Sequence, residues 1–317
     1  MHSLLSVDEA GRRETAIDVT VARTGIPRSH VEKDLWLTEV LRSIVRTSQE
    51  SGLPVVLKGG TSLSKAHRII ERFSEDVDVL VVLDGLSSSQ SKRALKYFRD
   101  GVAADIGLPG MTLERRTVWE TRLVAHFAYP TATDPLLAGL RPDGVLLEIG
   151  AWGGALPSSE MELRSLVAKH SEHTINGFRE LTPVAIRVLA PERTAVEKLM
   201  LLHSVTDEAR RSMTARHYYD LYCLLGNPGV RATLANGTAA LLSREVHVHS
   251  RALGVPSLQR PASGLHMSPA FDGTNPALAT ARAAYDTVVL GQLVWPDATV
   301  RPSFEDCCNA VRSATYL

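Results

Sequence analysis

The amino-acid sequence predicts an α+β fold, with a mixed sheet flanked by helices in the N-terminal half and a mostly helical C-terminal half. Three observations carry this reading. Up to about residue 152, short β-prone runs alternate with segments whose apolar residues recur at helical spacing. After about residue 154 the pattern turns largely helical. The chain of 317 residues, without an internal repeat, suffices for one large domain or two ordinary ones. The boundary is placed at 155, giving an α/β domain over 1–155 and a mainly α-helical domain over 156–317.

Each element follows from a local signal. Residues 8–22 and 28–47 carry helical periodicity, and Gly25-Ile26-Pro27 breaks them apart. Residues 54–57 form a short β-prone run that ends at two glycines. A helix is expected over 63–73, a strand over 76–83, and a second helix over 87–106 behind a serine-rich start. Strands are expected over 112–118, 121–129 and 143–152. Further on, helices are expected over 161–172, over 191–203 with Pro191 in the first turn, and over 210–225 before Gly226-Asn227-Pro228. A strand is expected over 185–189, a Gly/Pro/Ser-rich surface loop over 250–275, and closing helices over 277–293 and 304–314.

Composition removes several function classes. Lys plus Arg equals Asp plus Glu at 35 each, so the chain is not coated in basic charge for nucleic acid, although a local basic groove stays open. Cys223, Cys307 and Cys308 lack C-x-x-C spacing, and an odd number suits reduced thiols better than a disulfide framework. No apolar run reaches membrane-span length and the N-terminus lacks a secretion signal's apolar core, so the expectation is a cytoplasmic protein with no membrane partner.

The chemistry concentrates in LKGGTSLSKAHRIIERFSEDVDVL, residues 57–80. Gly59-Gly60-Thr61-Ser62 lies between a strand and a helix, where free backbone N–H groups and the helix dipole favour a phosphate, with Ser62 as a further hydroxyl donor. No Walker A spacing follows, and taken in isolation those four residues read better as a tight turn capped by Thr61 or Ser62. Lys58 and Lys65 flank the turn and are placed for triphosphate contact. Asp76 and Asp78, two apart on a strand, point to one face, where like charges repel unless a cation lies between them. Carboxylate oxygens are the ligands Mg²⁺ prefers, usually shared with substrate phosphates. Glu148, alone in the apolar run Val145-Leu146-Leu147-Glu148-Ile149, is the third candidate ligand. The bland alternative is a solvated strand end, against which the surrounding valines argue.

These motifs, Lys58-Gly59-Gly60-Thr61-Ser62-Leu63-Ser64-Lys65 and Phe73-Ser74-Glu75-Asp76-Val77-Asp78, resemble the signature of the AbiEii/AbiGii toxin family. That family comprises minimal nucleotidyltransferases of the DNA polymerase β-like superfamily, including the MenT-like toxins. The resemblance implies that Ser62, Asp76, Asp78 and Glu148 occupy the superfamily's phosphate and metal positions, with one or two Mg²⁺ ions and an NTP as substrate. It extends to Val31-Glu32-Lys33-Asp34-Leu35-Trp36, like the family's leading helix, and to Lys198 and Asp220, implied as a catalytic or nucleotide-binding lysine and its supporting aspartate. Without the resemblance, Lys198 reads more simply as half of a surface ion pair. Ser74 is a further candidate beside the phosphate path.

The resemblance further implies a toxin with a cognate antitoxin, adding pyrimidine nucleotides, CTP favoured, to the 3′ end of tRNA. Two alternatives stay open: transfer to a protein or small-molecule hydroxyl, and a non-catalytic nucleotide-binding role. His247 and His249 would share one strand face, but they lack zinc-site companions. Arg115, Arg116, Arg141, Arg187, Arg210, Arg211 and Arg216 are candidates for a basic rim, each more often a solvated charge.

Overall fold

The computed structural model describes residues 2–83, 85–105, 111–118, 122–130, 144–150, 154–252 and 259–317. The chain divides into two compact units. One comprises Met1–Ala66, Ser74–Ala151 and Ser158–Val188; the other comprises His67–Phe73, Trp152–Pro157 and Leu189–Leu317.

The first unit is built on a seven-stranded mixed sheet in the order β3-β4-β5-β2-β1-β7-β6. Its strands are β1 (Val55–Lys58), β2 (Asp76–Val81), β3 (Thr112–Val118), β4 (Arg122–Ala128), β5 (Val145–Gly150), β6 (Ser158–Leu163) and β7 (Val184–Leu189). The β2 strand lies at the centre, antiparallel to β1 and parallel to β5. Its odd positions Val77, Val79 and Val81 are buried, while Asp76 and Asp78 on the other face are half-buried. The period-2 alternation thus separates a core face from a polar face within one strand.

Helices α1 (Ala10–Thr24) and α2 (Arg28–Ser51) precede the sheet, and α3 (Gly59–Thr61), α4 (Ser88–Asp105) and α5 (Leu166–His170) follow within the same unit. From His30 to Leu41, α2 is buried on all sides, as befits a helix inside a core rather than on a surface. Its charged residues therefore need internal partners. Lys33 meets Glu75 at 3.2 Å, Asp34 pairs with Lys65, and Glu39 pairs with Arg42. Because Glu75 shares the odd face of the β2 run, the Lys33 contact identifies α2 as a cover of that face. Trp36 of α2 also stacks on Tyr129, ring centroids 5.5 Å apart.

The second unit is helical: α6 (Pro191–Ser204), α7 (Glu208–Thr214), α8 (Arg216–Gly226), α9 (Pro228–Thr233), α10 (Ala239–Ala252), α11 (Ala279–Ala284) and α12 (Phe304–Ser313), with a π-helical stretch Tyr285–Leu293. Pro191 at the start of α6 and the Ser303–Asp306 capping box of α12 set two of the helix starts. Tyr218, Phe304 and Tyr285 pack ring against ring in its core. No helix among the described residues is long and apolar enough to cross a membrane.

Several expectations are corrected. The helix expected over 63–73 ends at Ala66 as a π-turn Ser62–Ala66, and Arg68 adopts a left-handed backbone (φ 54°). Residues beyond it run irregularly because Phe73 packs edge-on against Trp295 and Arg72 bridges to Val294. The 161–172 segment is strand β6 followed by the short α5, and 210–225 is split into α7 and α8. His247 and His249 stand on helix α10, not on a strand. The 277–293 segment combines a 3-10 turn, α11 and the π-helical stretch. Residues 106, 121, 143, 151, 152 and 253–258, at the margins of expected elements, lie outside the described residues, as does Arg141.

Candidate functional site

The first unit gathers most of the expected residues on the polar face of β1, β2 and β5. Lys58 lies opposite Asp78 in the antiparallel ladder, and Asp78 lies opposite Glu148 in the parallel one. The three side chains therefore form a row across three strands, with Asp76 two positions along the same face. Val124 of β4 continues the row opposite Glu148, and Arg122, two residues from it, pairs with the Glu148 carboxylate.

The glycine turn is fitted to this row. Gly59 has φ +71°, and a β-carbon on it would lie 2.1 Å from Asp78 Oδ2 and 3.0 Å from Cγ. Both the backbone angle and the close approach require glycine. Thr61 is buried and its hydroxyl donates to the Asp76 carbonyl, tying the turn to β2. Gly60 is the middle residue of α3.

Other expected residues are engaged elsewhere. The buried Ser62 donates its hydroxyl to the Gly59 carbonyl at 2.8 Å, bracing the turn from within. Lys65 is buried and its ammonium pairs with Asp34, whose other oxygen accepts from Leu166 N at 2.6 Å. That pair joins the π-turn to α2 and α5 and occupies the charge expected at the phosphates. Ser74 is half-buried in the segment before β2.

The donor set suits a hard divalent cation. Asp76 and Asp78 present carboxylates from one strand face, and the Gly59 cradle leaves room beside Asp78 that any side chain would fill. Among the described residues, no three or more His, Cys, Asp or Glu side chains are gathered as a metal site gathers them. Glu148 pairs with Arg122.

The second unit holds a separate ionic cluster. Asp220 of α8, with no exposed surface, accepts from Arg72 Nε at 2.6 Å and Nη2 at 2.7 Å. Lys198 Nζ of α6 lies 2.9 Å from Asp220 Oδ2 and 3.0 Å from His217 Nδ1. Burial alone would raise the Asp220 carboxyl, yet Arg72 and Lys198 beside it hold it well below the usual carboxylate range. Burial pulls the Lys198 ammonium down from its ordinary value, and Asp220 opposes that pull. Burial and then the Lys198 charge push His217 down to about 3, so its imidazole is neutral and Nδ1 accepts from the ammonium.

Sequence reasoning reached Lys198 and Asp220 but missed Arg72 and His217. The i,i+3 spacing of His217 and Asp220 was a usable signal, since such residues share a helix face. Arg72 gives no local signal: 148 positions separate it from Asp220.

A glycine turn bound to a central Asp-x-Asp strand in a mixed sheet, accompanied by a helical unit, is the arrangement that the sequence resemblance to minimal nucleotidyltransferases implies. The chain belongs to the family described as nucleotidyl transferase AbiEii toxin, type IV toxin–antitoxin system, whose profile matches residues 40–287. Comparison with curated protein sequences returned no match. Among solved structures the fold is similar to that of MenT4, a nucleotidyltransferase toxin from Mycobacterium tuberculosis H37Rv, at 18% identity and a TM-score of 0.50. The match covers 96% of this chain and 88% of that one.

Proposed function

We propose that this nucleotidyltransferase toxin transfers a nucleoside monophosphate from an NTP, CTP or another pyrimidine favoured, to the 3′ end of tRNA, and so stops translation and growth. The observation that carries the transfer chemistry is the Gly59 backbone seated against the Asp78 carboxylate, with Asp76 on the same strand face. The acceptor as tRNA rests on family resemblance. The chain's zero net charge leaves RNA affinity to a local groove, and that affinity is expected to fall steeply with salt.

In this reading Asp76 and Asp78 would hold Mg²⁺, with Glu148 as the third ligand. When bound, the ion would offset triphosphate charge and polarise the α-phosphate. Backbone N–H groups of Gly59 and Gly60 donate to phosphate oxygens, with Thr61 and Ser62 bracing the turn that presents them. Lys58, from the same strand face, supplies positive charge to the triphosphate, and the family resemblance gives Lys198, held by Asp220, a nucleotide-binding role. The acceptor hydroxyl forms the new P–O bond at the α-phosphorus as the bond to pyrophosphate breaks, and one of the carboxylates takes the hydroxyl proton.

The test is incubation of the full chain with each labelled NTP and total tRNA, in parallel with an RNA-free cell extract, Asp76→Ala serving as control. Label on tRNA from a pyrimidine NTP supports the reading. Label only on protein or small molecules in the extract moves the acceptor to that class, and no pyrophosphate release in any arm overturns a catalytic role.

A further inference from the structure

We propose that Arg72 is a positioning residue that takes up the charge of Asp220, leaving the Lys198 ammonium as net positive charge for a phosphate. The proposal rests on the functional reading in which Lys198 serves the triphosphate. An isolated Lys–Asp pair is neutral, and a lysine so paired offers little field to an anion. Here Asp220 is shared: Arg72 engages both its oxygens through Nε and Nη2, and Lys198 reaches only Oδ2, at 2.9 Å. Two cations against one carboxylate leave the cluster with one positive charge, because His217 is neutral and acts as an acceptor.

The arrangement is costly without an anion. Arg72, Lys198 and Asp220 are all at least nine-tenths buried, and a net charge in such surroundings is poorly solvated. Arg216, at the start of α8, adds further repulsion on Lys198. Of the three N–H groups on Nζ, two are accounted for by Asp220 and His217; the third has no partner among the described residues. The remaining Arg72 nitrogen, Nη1, donates to the Phe73 carbonyl at 2.7 Å, so all three guanidinium nitrogens are tied to Asp220 or the backbone. Arg72 thereby stays with Asp220 and Lys198 is the member free to engage a phosphate oxygen.

The experiment measures binding of inorganic tripolyphosphate to the full chain by calorimetry, alongside turnover and thermal unfolding. Arg72→Gln leaves a neutral Lys198–Asp220 pair, and its affinity is expected to fall about 10- to 100-fold, as for loss of a charged hydrogen-bond contact. Adding Asp220→Asn to that variant restores the positive charge, so the double variant should bind better than Arg72→Gln alone while remaining poor in turnover. Asp220→Asn by itself removes the carboxylate that opposes the burial of the Lys198 ammonium, so its tripolyphosphate affinity is compared with the parent's across pH, with folding checked by thermal unfolding, and should exceed it at the acid end, where the ammonium keeps its proton. A double variant no better than Arg72→Gln, or an Asp220→Asn protein that binds no more tightly than the parent at the acid end, overturns the proposal. Lys198→Gln separates the two levels: if it leaves tripolyphosphate affinity unchanged, the underlying reading of Lys198 fails, whereas its loss of affinity with no gain in Asp220→Asn condemns charge sharing alone.

Discussion

The Gly59 α-carbon faces the Asp78 carboxylate so closely that a methyl group there would sit 2.1 Å from Oδ2 and 3.2 Å from Cβ. This contact joins the glycine turn to the Asp-x-Asp strand. Gly59→Ala must displace Asp78 and also carry φ +71° in an L-residue. We expect transfer to fall at least about 100-fold, the scale of a 1 Å misplacement at a reacting centre. Gly52→Ala is the control: its φ is +69° but nothing lies within 4 Å, so it should cost about 1 kcal/mol of stability from backbone strain and leave transfer intact. Labelled transfer and urea unfolding on both variants check the pair.

The three carboxylates are expected to differ in weight. Asp76→Ala and Asp78→Ala should each reduce transfer at least about a thousandfold, because metal-held charge supplies several kcal/mol in the transition state. Both should also abolish growth inhibition. Glu148→Gln should cost less, since Glu148 is partly exposed and pairs with Arg122 across the sheet. Kinetics of labelled transfer at matched protein concentration, with expression in a growing host, measure the order. A toxic Asp76→Ala protein at normal expression would contradict the mechanism.

The Asp-x-Asp strand was legible because its signal is local: two acids at period 2 among valines occupy one face whatever surrounds them. Helices with strong starts, such as Pro191–Ser204, were legible for the same reason. The 63–73 helix was not, because Arg72 and Phe73 find partners more than 140 positions away, at Asp220 and Trp295, and those contacts outweigh local propensity. Val-His-Val-His misled because alternation imitates a strand. The buried stripe Ala239, Leu242, Ser243, Val246 and Ser250 carries the helical period there, and two of its members are serines that hydropathy ignores. For the candidate site, residue type and spacing pointed to the acids and the glycines. Which lysines are occupied was decided by the fold, since Lys65 is answered by Asp34, 31 positions back.

Lys33 and Glu75 support the same strand from behind. Their ion pair is buried at side-chain exposures of 2% and 10%. Removing one partner breaks this buried pair, so Lys33→Met and Glu75→Gln are each expected to destabilise by up to about 3–5 kcal/mol. Lys33→Met with Glu75→Leu removes both charges and should lose clearly less than the sum of its singles. Urea unfolding of the cycle measures the coupling; strictly additive losses would show that the two residues act separately.

The buried cluster on α8 gives stability a pH dependence with a definite sign. His217 is held neutral by burial and by Lys198, with its value pushed down to about 3. Its folded value lies below the ordinary 6.5, so above pH 6.5 both states are neutral and the group contributes nothing to the slope. As pH falls below 6.5 the unfolded chain binds the proton that the folded one refuses, and stability is lost progressively down towards pH 3. Asp220 titrates only below its unfolded value of 3.8, so it does not contribute to the slope between pH 6 and pH 5. His170 and His203 shift in the same direction, so the His217 share must be read as a difference. His217→Gln keeps an acceptor for the Lys198 ammonium but cannot take a proton. Urea midpoints of parent and variant at pH 7.5 and pH 5 should show the parent losing more stability on acidification than His217→Gln; equal losses would mean that His217 is not held neutral in the fold.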